Sequence, residues 1–359
     1  MDGRARTAFA TASPHNIVHL SKPQPDHDRY AHAASQLRSW LAGGILWRHS
    51  TPALYVYEHV TSAATAVGLV GAVNLDGPVF PHEDVVPAVV ADRVALMVAT
   101  RAQFEPILLT YHGNGAASDV VDTVTATPPW QEVILADERH RIWPIHDPAT
   151  TAVIADDLAT RSVLIADGHH RFAAYCAVHA QAPMAGTGSG LAVLVDAARH
   201  PLDLRGIHRS VAGLPYEDAI VRVADAFSVV ALKPDDDLDA TLAGEKHTAF
   251  VIGDENHRTL IRRTEVNGSH RIDAAVLTDV LLTRLWKVDD TDMRVVHHHR
   301  YADALRRASR HAGVAVIVRP PTLSDVLDVA ARGERMPRKS TSFGPKPWTG
   351  LIMRGNDYY

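Results

Sequence analysis

Five consecutive residues, Asp167-Gly168-His169-His170-Arg171, combine a carboxylate, a glycine, two imidazoles and a guanidinium. The apolar run Ser162–Ala166 ahead of them ends abruptly at Asp167-Gly168, and helical spacing begins at His169. A strand that turns on glycine into a helix exposes unpaired backbone N–H groups at the positive end of the helix dipole, which is a natural anion site. Gly168 permits close backbone approach. Arg171, one turn in, is placed to clamp a phosphate through its planar fork, and His169 and His170 add donors whose charge changes near neutral pH. The same residues also fit an ordinary Asp-Gly turn followed by surface histidines. Two adjacent histidines and an arginine at a helix start favour the phosphate reading.

Three further groups carry polar chemistry. His82-Glu83 stands before a helix, with Arg93 ten residues after Glu83. A carboxylate there serves either as a cap or as a general base, and a hydroxyl becomes a competent nucleophile when a base takes its proton. The segment Arg338-Lys339-Ser340-Thr341-Ser342-Phe343-Gly344-Pro345-Lys346 crowds cations and hydroxyls into a turn-rich stretch suited to phosphate or carboxylate. Gly206-Ile207-His208-Arg209 repeats the chemistry more weakly. There is no P-loop, no Rossmann glycine fingerprint and no Ser-His-Asp elbow.

The elements that must position these residues alternate without a regular βαβ repeat. Helices are expected at about Asp28–Ala42, Ala91–Ala99, His169–Ala180, Tyr216–Phe227, Ala274–Trp286 and Ala302–His311, with another from an N-cap at Ser324. Strands are expected at Ala53–Glu58 and Ala66–Val73, joined as a hairpin, and at Ile107–Tyr111, Leu191–Asp196, Thr248–Gly253, Thr259–Arg263 and Val314–Val318. Thr125–Trp130 and the glycine-rich stretch Gln181–Gly190 read as loops, and Met336–Arg354 as a basic loop leading into a strand at Gly350–Met353. The fold class is α+β, or mixed α/β. Residues 1–15 read as a polar, poorly ordered segment, followed by a core over 16–200 and a C-terminal α/β region over 201–359 that packs on the same site.

The chain has 359 residues, 46% of them hydrophobic, enough for one large domain or two linked ones. A net charge of −5 disfavours non-specific nucleic-acid binding. Cys176 is the sole cysteine, which excludes intrachain disulfides and cysteine-only zinc sites. Histidine is abundant at 22 residues, including His297-His298-His299, but there is no HExxH and the acidic partners are scattered, which argues against a dedicated metal site. Without a secretory signal or a long apolar run, a cytoplasmic protein with no membrane partner is expected. The oligomeric state stays open, a homodimer included.

Taken in order, these residues resemble a large bacterial family catalogued as a domain of unknown function and related to the ParB/sulfiredoxin superfamily. The likeness runs from about Asn16 to Met353. It is carried by Ala166-Asp167-Gly168-His169-His170-Arg171 and by Met336-Pro337-x-Lys339-Ser340-Thr341-x-Phe343-x-Pro345-Lys346 with Gly350-Leu351. Supporting pieces are His82-Glu83 with Asp92-Arg93, Tyr55-Val56-Tyr57 after Pro52-Ala53-Leu54, and His208-Arg209. Two features depart from the pattern. The usual Pro-Pro-Tyr-Asp-type motif ahead of the matched region is not found in the residues before Asn16, and Gly206-Ile207 replaces the usual Pro-Thr.

The resemblance implies a ParB/sulfiredoxin-like core, with additional α/β elaborations, that grips phosphates at a Gly-x-x-Arg turn. The superfamily includes kinases of free serine, so it implies a small-molecule kinase using ATP or ADP with Mg²⁺ on a free hydroxy amino acid, serine or threonine. By the same likeness Glu83 is the general base. Asp167, Gly168, His169, His170 and Arg171 grip the metal-nucleotide, with Asp167 as metal ligand and Asp167 and His169 in catalytic roles. Lys339, Ser340 and Thr341 fall to the nucleotide, and His82, Arg93, His208, Arg209 and Lys346 to the substrate. Two other readings stay open: a CTP-type, ParB-like DNA-associated switch, and a nuclease.

Overall fold

The computed structural model describes residues 3–181, 183, 186–264 and 272–355. The chain divides into two compact units, one of residues 1–202 with 344–359 and one of residues 203–343. The last stretch of chain returns to the first unit.

The first unit opens with helices α1 (Gly3–Ala12), α2 (Val18–Ser21) and α3 (Arg29–Ala42). The expectation that 1–15 is poorly ordered is corrected by α1: its Ala and Arg residues are strong helix formers, and no apolar face is needed to start a turn. The hairpin is present, as β1 (Leu54–Val60) and β2 (Thr65–Asn74) in antiparallel register. Then follow β3 (Val79–Phe80), α4 (Pro87–Thr100), β4 (Ala102–Gln103), β5 (Ile107–Tyr111), α5 (Ala116–Thr125), β6 (Gln131–Leu135), β7 (Glu138–Ile145), α6 (Pro148–Leu158), β8 (Val163–Asp167), α7 (His169–Gln181) and β9 (Ser189–Asp196). The glycine-rich loop expected over 181–190 lies partly outside the described residues.

One mixed eight-stranded sheet, ordered β3-β8-β5-β9-β2-β1-β7-β6, forms the core of this unit. β3 runs parallel to β8 and β5 parallel to β9, while the other neighbours are antiparallel. β5, Ile-Leu-Leu-Thr-Tyr, is buried at every residue, as a strand covered on both faces must be. Ile107 and Leu109 pack with Val163, Ile165 and Leu194 from the neighbouring strands and with Tyr175 of α7. A second cluster sets Val56, Val67 and Trp143 against Val121 of α5 and Ile154 of α6.

The second unit holds β10 (Asp203–Gly206), β11 (His208–Val211), α8 (Tyr216–Val223), β12 (Phe227–Ala231), α9 (Leu238–Ala243), β13 (Ala249–Gly253) and β14 (Arg258–Arg263). The short α10 (Asp273–Ala275) continues as a wider, π-type helix over Val276–Trp286, then come β15 (Val295–His298), α11 (Tyr301–Arg310), β16 (Val314–Ile317), α12 (Leu323–Ala331) and β17 (Thr341–Gly344). Its six-stranded sheet, β12-β14-β13-β16-β11-β15, is antiparallel where the pairings are described. Alternate residues of β13 point to opposite faces. Phe250 and Ile252 pack on Leu281, Leu282 and Trp286, and Ala249 and Val251 on Leu238, Leu242 and Leu305.

Two local expectations are corrected. α12 is capped by Thr322, not Ser324: the Thr322 side chain accepts from the Asp325 N–H, and Asp325 reciprocates to the Thr322 N–H, a complete capping box. Instead of a strand at Gly350–Met353, the tail returns as β18 (Arg354–Gly355), which pairs with β4 in the first unit. Among the described residues no helix is long and apolar enough to cross a membrane. The fold is mixed α+β, as expected.

Candidate functional site

The turn at Gly168 is set by backbone geometry. Its φ is +103°, and a Cβ placed there would lie 2.7 Å from Ile107 Cγ2. Only glycine satisfies both conditions. The helix that follows begins at once, with the Phe172 N–H donating to the Gly168 carbonyl at 2.9 Å. The positive end of α7 is therefore delivered directly off the end of β8. Gly168→Ala is expected to cost about 1–3 kcal/mol through the left-handed φ and the Ile107 clash. Urea denaturation measures this, and a change below the error of the fit would contradict it.

Asp167 sits at the strand end between two cations. Its Oδ2 accepts from Arg171 Nη2 at 2.6 Å and its Oδ1 from Lys346 Nζ at 2.5 Å. Burial pushes the Asp167 carboxyl up, but the Arg171 and Lys346 charges outweigh it and hold the group below the usual aspartate value. Arg171 also meets Glu105 at 3.1 Å and donates to the Pro106 carbonyl. Its guanidinium thus ties the turn to the residues ahead of β5. Lys346 Nζ reaches the same carboxylate from an exposed position, its side chain 54% accessible.

Both histidines of the box act on the segment ahead of α4. The His82 N–H donates to His169 Nε2 at 3.3 Å, and the Val86 N–H donates to His170 Nε2 at 2.9 Å. The His82 ring is fully buried and stands edge-on to His169, with centroids 4.6 Å apart. An Nε2 that accepts cannot carry a proton, so each imidazole is neutral in this arrangement, with its hydrogen on Nδ1. The histidines pin both ends of a short arch, residues 82–86, over the start of α7. Half-buried Glu83 rides on that arch.

Arg93 lies farther along α4, its Nη1 donating to the Ser21 carbonyl at 3.1 Å. The preceding Asp92 accepts from Arg29 and from the Tyr30 hydroxyl, both at 2.8 Å. Lys22, which no sequence pattern singled out, is electrostatically coupled to Arg93, Glu105 and Arg171. Burial first, and Arg93 second, lower its ammonium below the ordinary lysine value. The first unit therefore brings together His82, Glu83, Asp167, Gly168, His169, His170, Arg171 and Lys346.

His208, Arg209, Lys339, Ser340 and Thr341 belong to the second unit. Arg209 is 1% exposed. Its Nε and Nη2 bind the two Asp290 oxygens at 3.0 and 3.1 Å. The remaining N–H groups donate to the carbonyls of Ile207 (2.5 Å), Lys339 (2.9 Å) and Arg338 (3.2 Å). Five donors meet five acceptors of the protein itself, so this guanidinium organises the basic loop. Ser340 and Thr341 are buried, while Lys339 is exposed at a left-handed φ of 57°.

His208 is buried beside Arg209 and accepts from the Val318 N–H at 3.3 Å. Burial, then His298, Arg209 and His299, lower it from 6.5 to about 4. A histidine depressed in the folded state gives stability that is present above its unfolded value and lost as pH falls through its folded one. Between pH 6.5 and about 4 this is worth on the order of 3 kcal/mol at most. His208→Gln is expected to flatten the acid limb of the stability–pH profile across that window, and an unchanged limb would contradict it.

A third grouping was unforeseen. Among the described residues, one set of three could hold a metal ion: His59, Glu138 and His140, with candidate ligand atoms all within 4.8 Å of one another. The acids looked scattered because Glu138 is far from His59 in sequence. Strand pairing brings them together.

Comparison with known proteins gives the following. The family model described as protein of unknown function (DUF1015) matches residues 1–293. No curated protein matches the sequence. Among solved structures, a mutant of free serine kinase in complex with ADP is similar at 15% identity and a TM-score of 0.43, over 78% of this chain and 91% of that one. A conserved hypothetical protein from Pyrococcus furiosus is similar at 17% identity and a TM-score of 0.40, over 78% and 94%. SbnI with a C-terminal truncation, from Staphylococcus aureus, is similar at 11% identity and a TM-score of 0.43, over 79% and 85%.

Proposed function

The chain belongs to the DUF1015 family, and we propose that it is a phosphotransferase that moves a phosphoryl group from ATP or ADP to the hydroxyl of a free amino acid, serine or threonine. The observation that carries this is the arch over α7: His169 and His170 hold the backbone on either side of Glu83 above the helix start, where Asp167 also holds Lys346. A candidate base, a helix start suited to anions and an exposed cation meet at one turn.

The assigned roles follow from chemistry. The N–H groups of the α7 start and the Lys346 ammonium bind the nucleotide phosphates. The glutamate carboxylate of Glu83 takes the proton of the substrate hydroxyl as its oxygen attacks the terminal phosphorus. The bond from that phosphorus to the bridging oxygen breaks, and ADP or AMP leaves. His169 and His170 are positioning residues for the arch. Arg171 positions Asp167, and Arg209 organises its own loop.

Mg²⁺ fits the donor set. Asp167 is a hard oxygen ligand held ionised, and Mg²⁺ is commonly bound by one or two carboxylates together with substrate phosphates. When bound, the ion neutralises charge developing on the phosphates. Lys346 is the partner free to leave Asp167 for a phosphate, because its side chain is the exposed one of the two cations. The test is a panel: protein, ATP or ADP, Mg²⁺ and each hydroxy amino acid, with products read by mass spectrometry. A phosphoamino acid is expected with serine or threonine, and its absence across the panel despite saturable nucleotide binding would overturn the proposal.

A further inference from the structure

The antiparallel pairing of β1 and β7 sets His59 directly opposite His140. Glu138 is two residues from His140 and Tyr57 two from His59, so all four side chains share one face of the sheet. The opposite face carries Val56 and Trp143, which belong to the apolar core. On the polar face the His59 and His140 rings lie 4.4 Å apart, and His59 Nε2 is 2.6 Å from Glu138 Oε2. The imidazoles are 2% and 0% exposed.

This face is built like a ligand set and incomplete as a hydrogen-bond network. His59 Nδ1 and His140 Nε2 are buried without a partner. A buried polar atom left unpaired costs roughly 1–3 kcal/mol, and two in touching rings call for a common explanation. The surroundings orient the rings. The Tyr57 hydroxyl is 2.9 Å from His140 Nδ1 and accepts from the Trp348 N–H at 3.5 Å. Tyr57 occupies His140 Nδ1, so the nitrogen that His140 has left for a ligand is Nε2. Trp348 Nε1 donates to Glu138 Oε2 at 3.0 Å and so steadies the carboxylate. Outer partners of this kind, here on His140 and Glu138, are how proteins set metal-binding histidines and carboxylates.

We propose that His59, Glu138 and His140 form a binding site for a divalent transition-metal ion of the zinc class, separate from any magnesium carried with a nucleotide. Two imidazoles and one carboxylate are a borderline nitrogen-and-oxygen set, which suits Zn²⁺ rather than the all-oxygen shells of Mg²⁺ or Ca²⁺. Tetrahedral zinc with bonds of about 2.0–2.2 Å separates its ligand atoms by roughly 3.3 Å. The three candidate atoms, all within 4.8 Å of one another, need only small side-chain adjustments to reach that spacing. The fourth position falls to water or to an exogenous ligand. The ion would tie β1 to β7 and fix the carboxylate on which Trp348 rests.

The test uses the full chain, stripped with a chelator, dialysed and titrated with Zn²⁺ alone by calorimetry while tryptophan fluorescence is followed. One equivalent is expected to bind with submicromolar affinity, perturbing the Trp348 emission, and Co²⁺ is expected to give the visible bands of a four-coordinate ion. Tyr57→Phe should weaken binding about 10–100-fold, and Glu138→Gln by more, while far-ultraviolet circular dichroism stays unchanged. Glu138→Gln keeps the shape of the side chain and an oxygen for Trp348, so it tests the ligand without emptying the site. Stripped, folded protein that takes up no stoichiometric zinc, or that binds it equally well in Glu138→Gln, overturns the proposal and leaves the triad a buried hydrogen-bonded cluster.

Discussion

Glu83→Gln is expected to lower phosphoryl transfer by about 10²–10⁴-fold while nucleotide affinity stays within a few-fold of the parent. The asymmetry follows from how the arch is held. Two of its anchors are the backbone N–H groups of His82 and Val86 on His169 and His170, and the substitution leaves both in place. Glutamine fills the same volume but cannot accept a proton at neutral pH. The phosphate-binding groups, the α7 start and Lys346, are left as they were. Turnover and calorimetric nucleotide affinity, measured on the same preparation, separate the outcomes. A parallel loss of both would make Glu83 part of the nucleotide grip, and no loss of turnover would remove it as the base.

Arg209→Met is expected to destabilise the second unit by about 3–5 kcal/mol, the range for breaking a buried ion pair from one side. The guanidinium is 1% exposed and the Asp290 side chain 11%. Methionine keeps the stem but strands the Asp290 charge beside His297 at 3.3 Å, and leaves the Ile207, Arg338 and Lys339 carbonyls without their donor. Asp290→Asn in the same background removes the stranded charge and should recover part of the loss. Urea titration of the single and double variants, with hydrogen exchange read on β11 and β16, tests this. A single variant within about 1 kcal/mol of the parent would show that the five hydrogen bonds are replaceable by water.

The turn at Asp167–Arg171 was legible because three local signals agree there: an apolar run that stops, an Asp-Gly break, and helical spacing from His169. Ile107–Tyr111 was legible for the same reason, as a short run with no competing period. What was hidden was partner choice. Arg171 read as a phosphate fork and Arg209 as part of a weaker copy of that chemistry, and the structure pairs them with Asp167 and Asp290, one four residues away and the other 81. The spacing of the basic C-terminal motif suggested one loop, whereas Lys339 and Lys346 belong to different units. β7 escaped notice because Glu138, Arg139, His140 and Arg141 break the apolar alternation by which strands are recognised, with His140 facing inward. Two of the residues that conceal the strand, Glu138 and His140, are ones proposed above as metal ligands.

In the proposed reaction the terminal phosphate of a nucleotide passes to an amino-acid hydroxyl at the turn under Glu83. Its most direct measurement follows labelled terminal phosphate from ATP or ADP with Mg²⁺ and serine or threonine, in the parent protein and in Glu83→Gln. Label is predicted to appear in the phosphoamino acid with the parent and to stay in the nucleotide with the variant. Label that stays in the nucleotide with the parent, or emerges only as inorganic phosphate whether or not the amino acid is present, would contradict the account.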